Sequence, residues 1–531
     1  DGAYESDNFS FPTTNPLRRG FLGNNLDDNI NISERLGLKI KILQGLTLET
    51  SGSLNFITGQ SSNFSPTYVL RDWEGNIVNQ DLVNSLGNST NFSYRLLNEN
   101  ILRYSTTINE KNNIDVLVGQ SFIYDRTDGF SGSLSGFPTN NIEEFNGGGV
   151  LDPAVSGGAN EESYQSYFGR INYNYDGKYL LEFNLRRDGS SKFGPGNRYA
   201  YFPSASGGWR ISEEAFMANI PWLSNLKVRG SWGITGNDRI GNYIYEQTYN
   251  ANLDYVLGND INVGGVALTG LSNPNIRWEE VEQFDIGFDA SFFKSKLQIT
   301  GDYYERKSSD ILYNNFPIPS TIGTTNLPAQ NAASMVNKGI ELAINYRDNI
   351  GGLSYTIGGN FTKFLSNEVT GLGDGGEETI SGATIIRIGD PLRSYYGYQA
   401  VGIFQTMEEV VLAPAQFGNA NTGPGDIRYA DISGPDGVPD GLINAEDRTI
   451  IGNPYPGWLY NLNGNVRFGG FDIDILFQGV HDIDRLITGN GQYPMEDDRS
   501  NVLSYWVNRW TPEQPSEYLP RLGGQNNALN S

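Results

Sequence analysis

The sequence predicts an all-β fold, a transmembrane antiparallel β-barrel, and three observations lead to this prediction. Apolar and polar residues alternate along many segments, which is the period-two pattern of strands whose two faces meet different surroundings. The connections between these segments are alternately very short and very long. Of the 531 residues only 38% are hydrophobic, yet 12% are aromatic, which is typical of barrels in which only one strand face is apolar.

The alternating segments are about ten residues long, the length that a tilted strand needs to cross a bilayer. In one of them Leu181 lies on the apolar face and Glu182 on the polar face. By the same pattern we place Leu342 on a lipid-facing surface and Glu341 on a lumen-facing surface. The segments predicted as strands are 35–43, 46–57, 112–124, 164–175, 178–188, 225–233, 284–292, 297–303, 338–347, 353–364, 458–468 and 471–478.

The connections indicate how these strands are joined. Asp176-Gly177 is typical of a type I′ hairpin turn, which needs positive φ at both central residues. Comparable short turns are predicted at Gln44-Gly45, Lys294-Ser295 and Gly469-Gly470. Long connections are predicted at 126–162, 235–278, 308–336 and 365–457. This asymmetry favours an up-and-down barrel with periplasmic turns and extracellular loops, of which 365–457 is the largest, although soluble β-sandwiches alternate in polarity too.

The composition excludes several classes of function. With 37 basic and 61 acidic residues the formal charge is −24, so nucleic acid is not an expected partner. The chain has no cysteine and one histidine, His481, which removes thiolate metal sites, histidine-ligated zinc and Ser-His-Asp triads. We find no apolar run near the roughly 20 residues of a membrane helix. The polar start at Asp1 does not look like a signal peptide, and we expect the chain to be a fragment.

Nine segments between residues 164 and 480 carry a family resemblance. They are SYFGRINYNYDGKYLL (166–181), RRDGSSKFG (186–194), RYAYFPS (198–204), GWRISEE (208–214), WLSNLKVRGSWGITGND (222–238), NPNIRWEE (273–280), GYQAVGIF (397–404), GDIRYAD (425–431) and DRTIIGNP (447–454). In this order they resemble the SusC/RagA family of TonB-dependent outer-membrane transporters of Bacteroidota.

The resemblance implies a 22-stranded barrel in the lipid of the outer membrane, closed by an internal plug domain. It also implies active import of an oligosaccharide or peptide, energised by the TonB-ExbB-ExbD complex through the plug, with a SusD-like surface lipoprotein as partner. We count about fifteen strands and find no plug, TonB box or closing strands, so 1–531 is expected to be the barrel region alone. Because open strand edges are excluded from lipid, the remaining strands are expected elsewhere.

One segment resembles a twelve-residue calcium loop of the EF-hand spacing, with Gly441 at the sharp turn. The candidate ligands are Asp436, Asp440, Leu442 (through its carbonyl), Asn444 and Asp447. Two features depart from that pattern, because Val438 cannot ligate and the last position is Asp rather than Glu. The alternative is an acidic turn stabilised by its own Asx hydrogen bonds. Calcium is the only cofactor that the sequence suggests.

We expect no enzymatic activity. Neighbouring carboxylates such as Glu143-Glu144 are typical of solvated loops, and adjacent residues on a strand point to opposite faces. Trp458, Trp506 and Trp510 are candidates for stacking on sugar rings, although packing within the protein is favoured. Two other functions stay open, a surface-exposed β-rich glycan-binding or adhesion protein and a secreted polysaccharide hydrolase. The sequence does not reveal the cargo.

Overall fold

The computed structural model describes residues 24–71, 75–148, 151–258, 261–268, 271–313, 328–373, 376, 378–418, 421–488 and 503–522. In chain order the strands are β1 (Asn24–Leu43), β2 (Leu46–Ser65), β3 (Tyr68–Arg71), β4 (Ile77–Asp81), β5 (Ser85–Ile108), β6 (Asn112–Ser135), β7 (Leu151–Tyr175), β8 (Tyr179–Ser190), β9 (Tyr199–Arg210), β10 (Leu223–Asn237), β11 (Tyr249–Leu257), β12 (Ile261–Leu268), β13 (Glu279–Phe292), β14 (Leu297–Tyr313), β15 (Gln330–Ile350), β16 (Leu353–Leu372), β17 (Glu378–Ser381), β18 (Thr384–Arg387), β19 (Ser394–Tyr398), β20 (Ala400–Ile403), β21 (Ala415–Gln416), β22 (Ile427–Tyr429), β23 (Leu442–Ile443), β24 (Arg448–Gly452), β25 (Trp458–Phe468) and β26 (Phe471–His481).

Among the described residues, helices are few and short. The α-helix α1 spans Met407–Leu412, and Thr406 caps it by accepting a hydrogen bond from the backbone N–H of Glu409. The 3₁₀ turns are Phe145–Gly147, Ile211–Glu213, Ala215–Met217, Ala445–Asp447 and Ser504–Asn508. Within the described ranges no helix combines the length and the apolar character that a membrane crossing requires.

Fourteen strands form one large antiparallel sheet, which we call the wall. Their order is β1-β2-β5-β6-β7-β8-β9-β10-β13-β14-β15-β16-β25-β26, so each wall strand pairs with the next wall strand along the chain. This is the up-and-down arrangement that the sequence predicts. Each of the twelve predicted segments overlaps a wall strand of its own, and the predicted count of about fifteen exceeds the described one by a single strand.

Two wall strands, β5 and β9, were not among the predicted segments, because neither alternates clearly. In β5 the face that carries Leu102 also carries Asn98 and Asn100, so polar residues interrupt the apolar side. In β9 small residues replace large apolar ones, and Pro203 interrupts the pattern. Pro203 is tolerated because the pairing of β9 with β10 ends at Ser204, so its missing N–H falls where the ladder stops.

The strands are longer than predicted. Residues 126–135 and 151–162 belong to β6 and β7, which contain 24 and 25 residues, so the prediction of a connection over 126–162 is wrong for most of its length. Likewise β16 runs to Leu372 and shortens the predicted loop 365–457. A tilted strand crosses a membrane with about 9–11 residues. The wall therefore extends well beyond the thickness of a bilayer.

The turns of two to four residues lie at one end of the wall, the turn end, and the longest connections lie at the other, the loop end. The connection 211–222 between β9 and β10 is an exception, because it lies at the turn end and is longer than the connection 191–198 between β8 and β9 at the loop end. At Asp176-Gly177 the φ angles are 53° and 68°, which confirms the predicted left-handed turn. The turn between β13 and β14 places three consecutive residues without a glycine, from Phe293 to Ser295, at φ values between 55° and 62°. The turn at Gly469 also has positive φ, 58°. Tight turns at one end hold neighbouring strands in fixed register.

The register gives the wall one apolar and one polar face. Leu342 lies opposite Gly301 on β14 and Phe361 on β16, while Glu341 lies opposite Asp302 and Thr362. The apolar row that contains Leu342 runs across six strands through Val228, Phe288, Gly301, Leu342, Phe361 and Tyr460. The predicted placement of Leu342 and Glu341 on opposite faces is confirmed.

Two bands of aromatic residues border the apolar face. At the turn end they include Tyr175, Tyr179, Trp209, Trp222, Phe292, Phe468 and Phe471, with Tyr179 stacked on Trp209 and Trp222 on Phe292. Towards the loop end they include Tyr167, Tyr199, Tyr201, Trp232 and Trp458. Ten residues of β25 separate Phe468 from Trp458. Ten residues of a tilted strand rise by about 25 Å, the height of the apolar band of an outer-membrane barrel.

The buried clusters lie at the loop end of the wall, where wall strands meet the long connections. Phe193, Phe202, Ile276 and Trp278 form one cluster where the β8–β9 and β10–β13 connections meet. Phe64, Leu86 and Phe137 form a second cluster, and Ala333, Val369 and Leu372 a third. These clusters hold the bases of the long connections in place, so the loops start from fixed positions on the wall.

Candidate functional site

The polar face of the wall carries a lattice of paired charges. The guanidinium of Arg229 on β10 donates to Asp289 on β13 at 3.2 Å and to Asp302 on β14 at 2.8 Å, so it ties three strands together. The space for Asp302 exists because residue 287 is glycine, and a Cβ at Gly287 would overlap the carboxylate. Each charge in this group has a partner, so the group makes the face polar without a bare charge of its own.

The polar face surrounds a cavity at the turn end of the wall. Its volume is about 1030 Å³, and residues from β5 to β10 and from β13 line it. The charged and amide side chains around it include Asp115, Asn172, Glu182, Lys227, Arg229 and Asp285. A cavity of this size and polarity suits water, a polar solute or a polar protein surface better than lipid.

The largest loop region, between β16 and β25, is folded. It contains the four-stranded sheet β17-β18-β19-β24, the pair β20-β22 and the parallel pair β21-β23. Tyr398, Phe417 and Tyr429 pack edge to face in its core, with ring centroids 4.8 to 5.7 Å apart. Burial raises the pKa of the Tyr429 hydroxyl to about 12. The region is therefore a folded unit rather than a set of extended loops.

A segment that follows β26, residues 503–522, folds back onto this region, and we call it the docking segment. Arg521 binds the buried carboxylate of Asp426 through two hydrogen bonds of 2.7 Å each. Trp510 covers Gly425, whose φ of +91° and lack of a Cβ let the indole approach. The indole N–H of Trp510 donates to Gln405 at 3.0 Å. Bidentate pairs of this kind fix orientation as well as distance.

The sequence analysis did not predict this contact. Arg521 and Asp426 are 95 positions apart, and no local sequence pattern indicates that they meet. The sequence analysis did single out the tryptophans. Trp506 and Trp510 are buried, with 6% and 9% of their surface exposed. Their rings therefore pack within the protein and are not open for stacking on a sugar. Trp458 lies on the apolar face of the wall, with Phe361 at 4.9 Å and the ammonium of Lys363 at 4.3 Å from its ring.

The predicted calcium loop is a network of carboxylates that accept backbone N–H groups. Asp447 is fully buried and accepts from Ile432 at 2.8 Å, Ser433 at 3.1 Å and Asn444 at 2.9 Å. Burial alone would raise the pKa of the Asp447 carboxyl, but these hydrogen bonds outweigh burial and lower it. Asp440 accepts the N–H of Leu442 at 2.9 Å, as an Asx turn does.

Three of the candidate ligands, Asp440, Asn444 and Asp447, therefore accept backbone N–H groups in this structure. Asn444 caps the 3₁₀ turn by accepting from Glu446, and Asp436 is exposed. In the part of the chain that the structure describes, no group of three or more histidine, aspartate or glutamate side chains is arranged to hold a metal. Calcium binding by Asp436, Asp440, Leu442, Asn444 and Asp447 stays a prediction. Its test is a calcium titration in which Asp440→Ala lowers the amount of bound metal, and an unchanged amount would contradict it.

Known proteins share this architecture. A family model described as TonB dependent receptor-like, beta-barrel, matches residues 1–472. TonB-dependent receptor P3 of Formosa agariphila is 31% identical over 498 residues, which cover 91% of this chain and 47% of that protein. TonB-dependent receptor SusC of Bacteroides thetaiotaomicron is 30% identical over 333 residues, which cover 59% of this chain and 31% of that protein.

Solved structures agree with this result for the fold. The RagAB peptide transporter superposes with a TM-score of 0.80 at 23% identity, over 96% of this chain and 54% of that one. The chain spans about half the length of the curated relatives that it matches. The wall with its apolar outer face, its polar inner face and its two aromatic bands is the membrane part that such proteins require. The chain belongs to the TonB-dependent receptors, is similar to SusC and RagA among them, and forms β-barrel wall in the bacterial outer membrane.

Proposed function

We propose that this chain is the wall of an active importer that carries a large nutrient, an oligosaccharide or a peptide, across the outer membrane. The observation that supports this most directly is the polar, charge-paired inner face behind an apolar outer face. A wall of this kind separates an aqueous path from lipid. The folded region between β16 and β25, at the loop end, offers an ordered surface for recognising cargo before it enters. Membership in a family of receptors is the reason that we propose no catalytic role.

The energy for import is proposed to come from the TonB-ExbB-ExbD complex through a plug domain in another part of the protein. The cavity ringed by Glu182, Lys227 and Asp285 has the polarity that a plug surface would match. The test is uptake by cells that produce the whole protein, compared with the same cells lacking TonB. Uptake that persists without TonB would indicate a passive pore, and surface binding of a glycan without uptake would indicate the adhesion alternative.

A SusD-like surface lipoprotein is the proposed partner at the loop end. The RagAB complex is described as a peptide transporter, and the present wall shares its fold. Purification of the tagged whole protein from solubilised outer membranes should recover a lipoprotein in a fixed ratio. To decide the cargo, a deletion strain is grown on glycans or on peptides as the sole nutrient. Loss of growth on one of the two classes, restored by the unaltered gene, would name the cargo.

A further inference from the structure

Arg187 occupies an unusual place on the wall. It lies on β8 opposite Tyr167 of β7 and Tyr201 of β9. Because an even number of positions separates it from Leu181 on the same strand, both side chains point to the apolar outer face. Eight residues separate it from Tyr179 at the turn end, which puts it about 20 Å higher, within the aromatic band nearer the loops. A cation at this height meets the headgroups of the outer leaflet rather than the acyl chains.

Aromatic rings hold the guanidinium in position. Its central carbon lies 4.1 Å from the ring centroid of Tyr199 and 5.7 Å from that of Tyr201. The ring of Tyr199 can lie flat on the wall because residue 189 is glycine, and a Cβ at Gly189 would meet that ring. Cation–π contacts fix the plane of the guanidinium but use none of its hydrogen-bond donors.

Arg187 has no ion pair and no hydrogen bond to another described residue, and its Nε is buried without a partner. The neighbouring Arg186 points to the opposite face, where it binds Asp188 at 2.7 Å and Ser166 at 2.7 Å. Two adjacent arginines thus have opposite surroundings, since one is neutralised by a carboxylate and the other lacks an anion. A partly desolvated guanidinium without an acceptor is costly, so an external anion is the expected partner.

Further donors stand beside it. The hydroxyl of Tyr199 donates to Gln165 at 2.7 Å, and the amide of Gln165 donates to the hydroxyl of Tyr167 at 2.9 Å. The hydroxyl hydrogen of Tyr167 is thereby left for an acceptor in front of Arg187. Tyr201 is 60% exposed at the same level. Below this group the apolar face continues through Leu185, Phe183 and Leu181, which are 53%, 55% and 45% exposed.

We propose that Arg187, with Tyr167 and Tyr201, binds the phosphate group of an anionic glycolipid of the outer leaflet, whose acyl chains lie along Leu185, Phe183 and Leu181. The planar fork of arginine matches a phosphate through two parallel hydrogen bonds, and the hydroxyls supply further donors. A lipid is favoured over free phosphate, because the donor group lies directly above an apolar strip that faces the membrane. This inference depends on the membrane position of the wall and not on the cargo.

The experiment uses the whole protein in detergent, with native mass spectrometry of bound diphosphorylated lipid A, of its dephosphorylated form, and of inorganic phosphate as competitor. Arg187→Ala is expected to weaken binding of the phosphorylated lipid about tenfold or more, the scale of one lost charge-assisted hydrogen bond. Arg186→Ala removes the same charge one residue away on the other face and is expected to bind like the unaltered protein. The dephosphorylated lipid is expected to bind equally weakly to all forms.

Equal retention of phosphorylated lipid A by Arg187→Ala and the unaltered protein would overturn the proposal. So would an equal loss in Arg186→Ala, which would point to overall charge, or displacement of the lipid by millimolar inorganic phosphate, which would point to a free-phosphate site. Tyr167→Phe, which changes no charge, is expected to weaken binding a few-fold. The Tyr167→Phe variant replaces Arg187→Ala in this test if Arg187→Ala does not show the heat-modifiable migration of a folded barrel. Unchanged lipid binding by Tyr167→Phe would then refute the assigned geometry.

Discussion

Replacing Leu342 by arginine is expected to impair assembly of the barrel, because Leu342 lies at mid-height of the apolar face. On β15 it is four residues from Tyr346, in the turn-end aromatic region, and four residues from Lys338, whose ammonium is 3.3 Å from Glu305. Four residues of a tilted strand rise by roughly 9 Å, which is beyond the reach of an arginine side chain to either headgroup region. Its charge would therefore remain in the hydrocarbon layer.

The magnitude follows from that depth. Leu342 shares an apolar depression with Val228, Phe288, Ile340 and Phe361, and the nearest carboxylate on the same face, Glu305, already binds Lys338 four residues nearer the loop end. Arginine at the midplane of a barrel costs about 2–4 kcal/mol. A cost of that size at one position lowers the equilibrium constant for folding by roughly thirtyfold or more. Leu181→Arg should act in the same direction on β8.

The assay is the fraction of heat-modifiable protein in outer-membrane preparations, measured for Leu342→Arg and for its neighbour Glu341→Arg. Glu341 faces Asp302 and Thr362 on the polar side, where an added arginine meets a carboxylate and water. We therefore expect Glu341→Arg to assemble almost like the unaltered protein. Equal defects in the two variants would refute the assignment of the faces.

Three further predictions concern the inner face and the loops. Gly287→Ala should lower the thermal midpoint in detergent, by a loss of about 1–3 kcal/mol, because its Cβ displaces a carboxylate that Arg229 binds. Gly230→Ala, whose nearest contact is an ordinary 3.6 Å, is the control, and equal midpoints would contradict the argument. Arg521→Ala should expose the docking segment to limited proteolysis, since breaking a buried ion pair costs roughly 3 kcal/mol; an unchanged cleavage pattern would count against this contact. The folded-state pKa of Asp447 is lowered, so its stabilisation is complete above the unfolded value near 3.9 and is lost as pH falls through the lower folded value. Amide protection in its loop should persist to about pH 4 and fall only below it, and loss at pH 5 to 6 would be inconsistent with a lowered pKa.

The strands of the wall could be predicted because the sequence patterns that indicate them extend over only a few neighbouring residues. The alternation along β8, β13 and β25 indicates that the two faces of each strand meet different solvents. The pair Asp176-Gly177 indicates a turn because these residue types tolerate the positive φ angles that the turn requires. Where small or polar residues replaced the apolar ones, as in β5 and β9, the same rule failed. It also misjudged strand ends, because above the membrane both faces of β6 and β7 meet water and the alternation fades.

The sequence by itself determined the strand faces, the hairpin turns and the family, since each depends on neighbours within a few residues or on a run of ordered motifs. Only the tertiary structure decided which distant residues meet. The pairing of Asp426 with Arg521 and the ring of tyrosines around Arg187 bring together groups from separate strands or loops. It also decided the surroundings of Asp447, whose carboxylate is occupied by backbone N–H groups of two chain segments. Spacing can place an oxygen in a loop, but the path of the backbone determines what that oxygen binds.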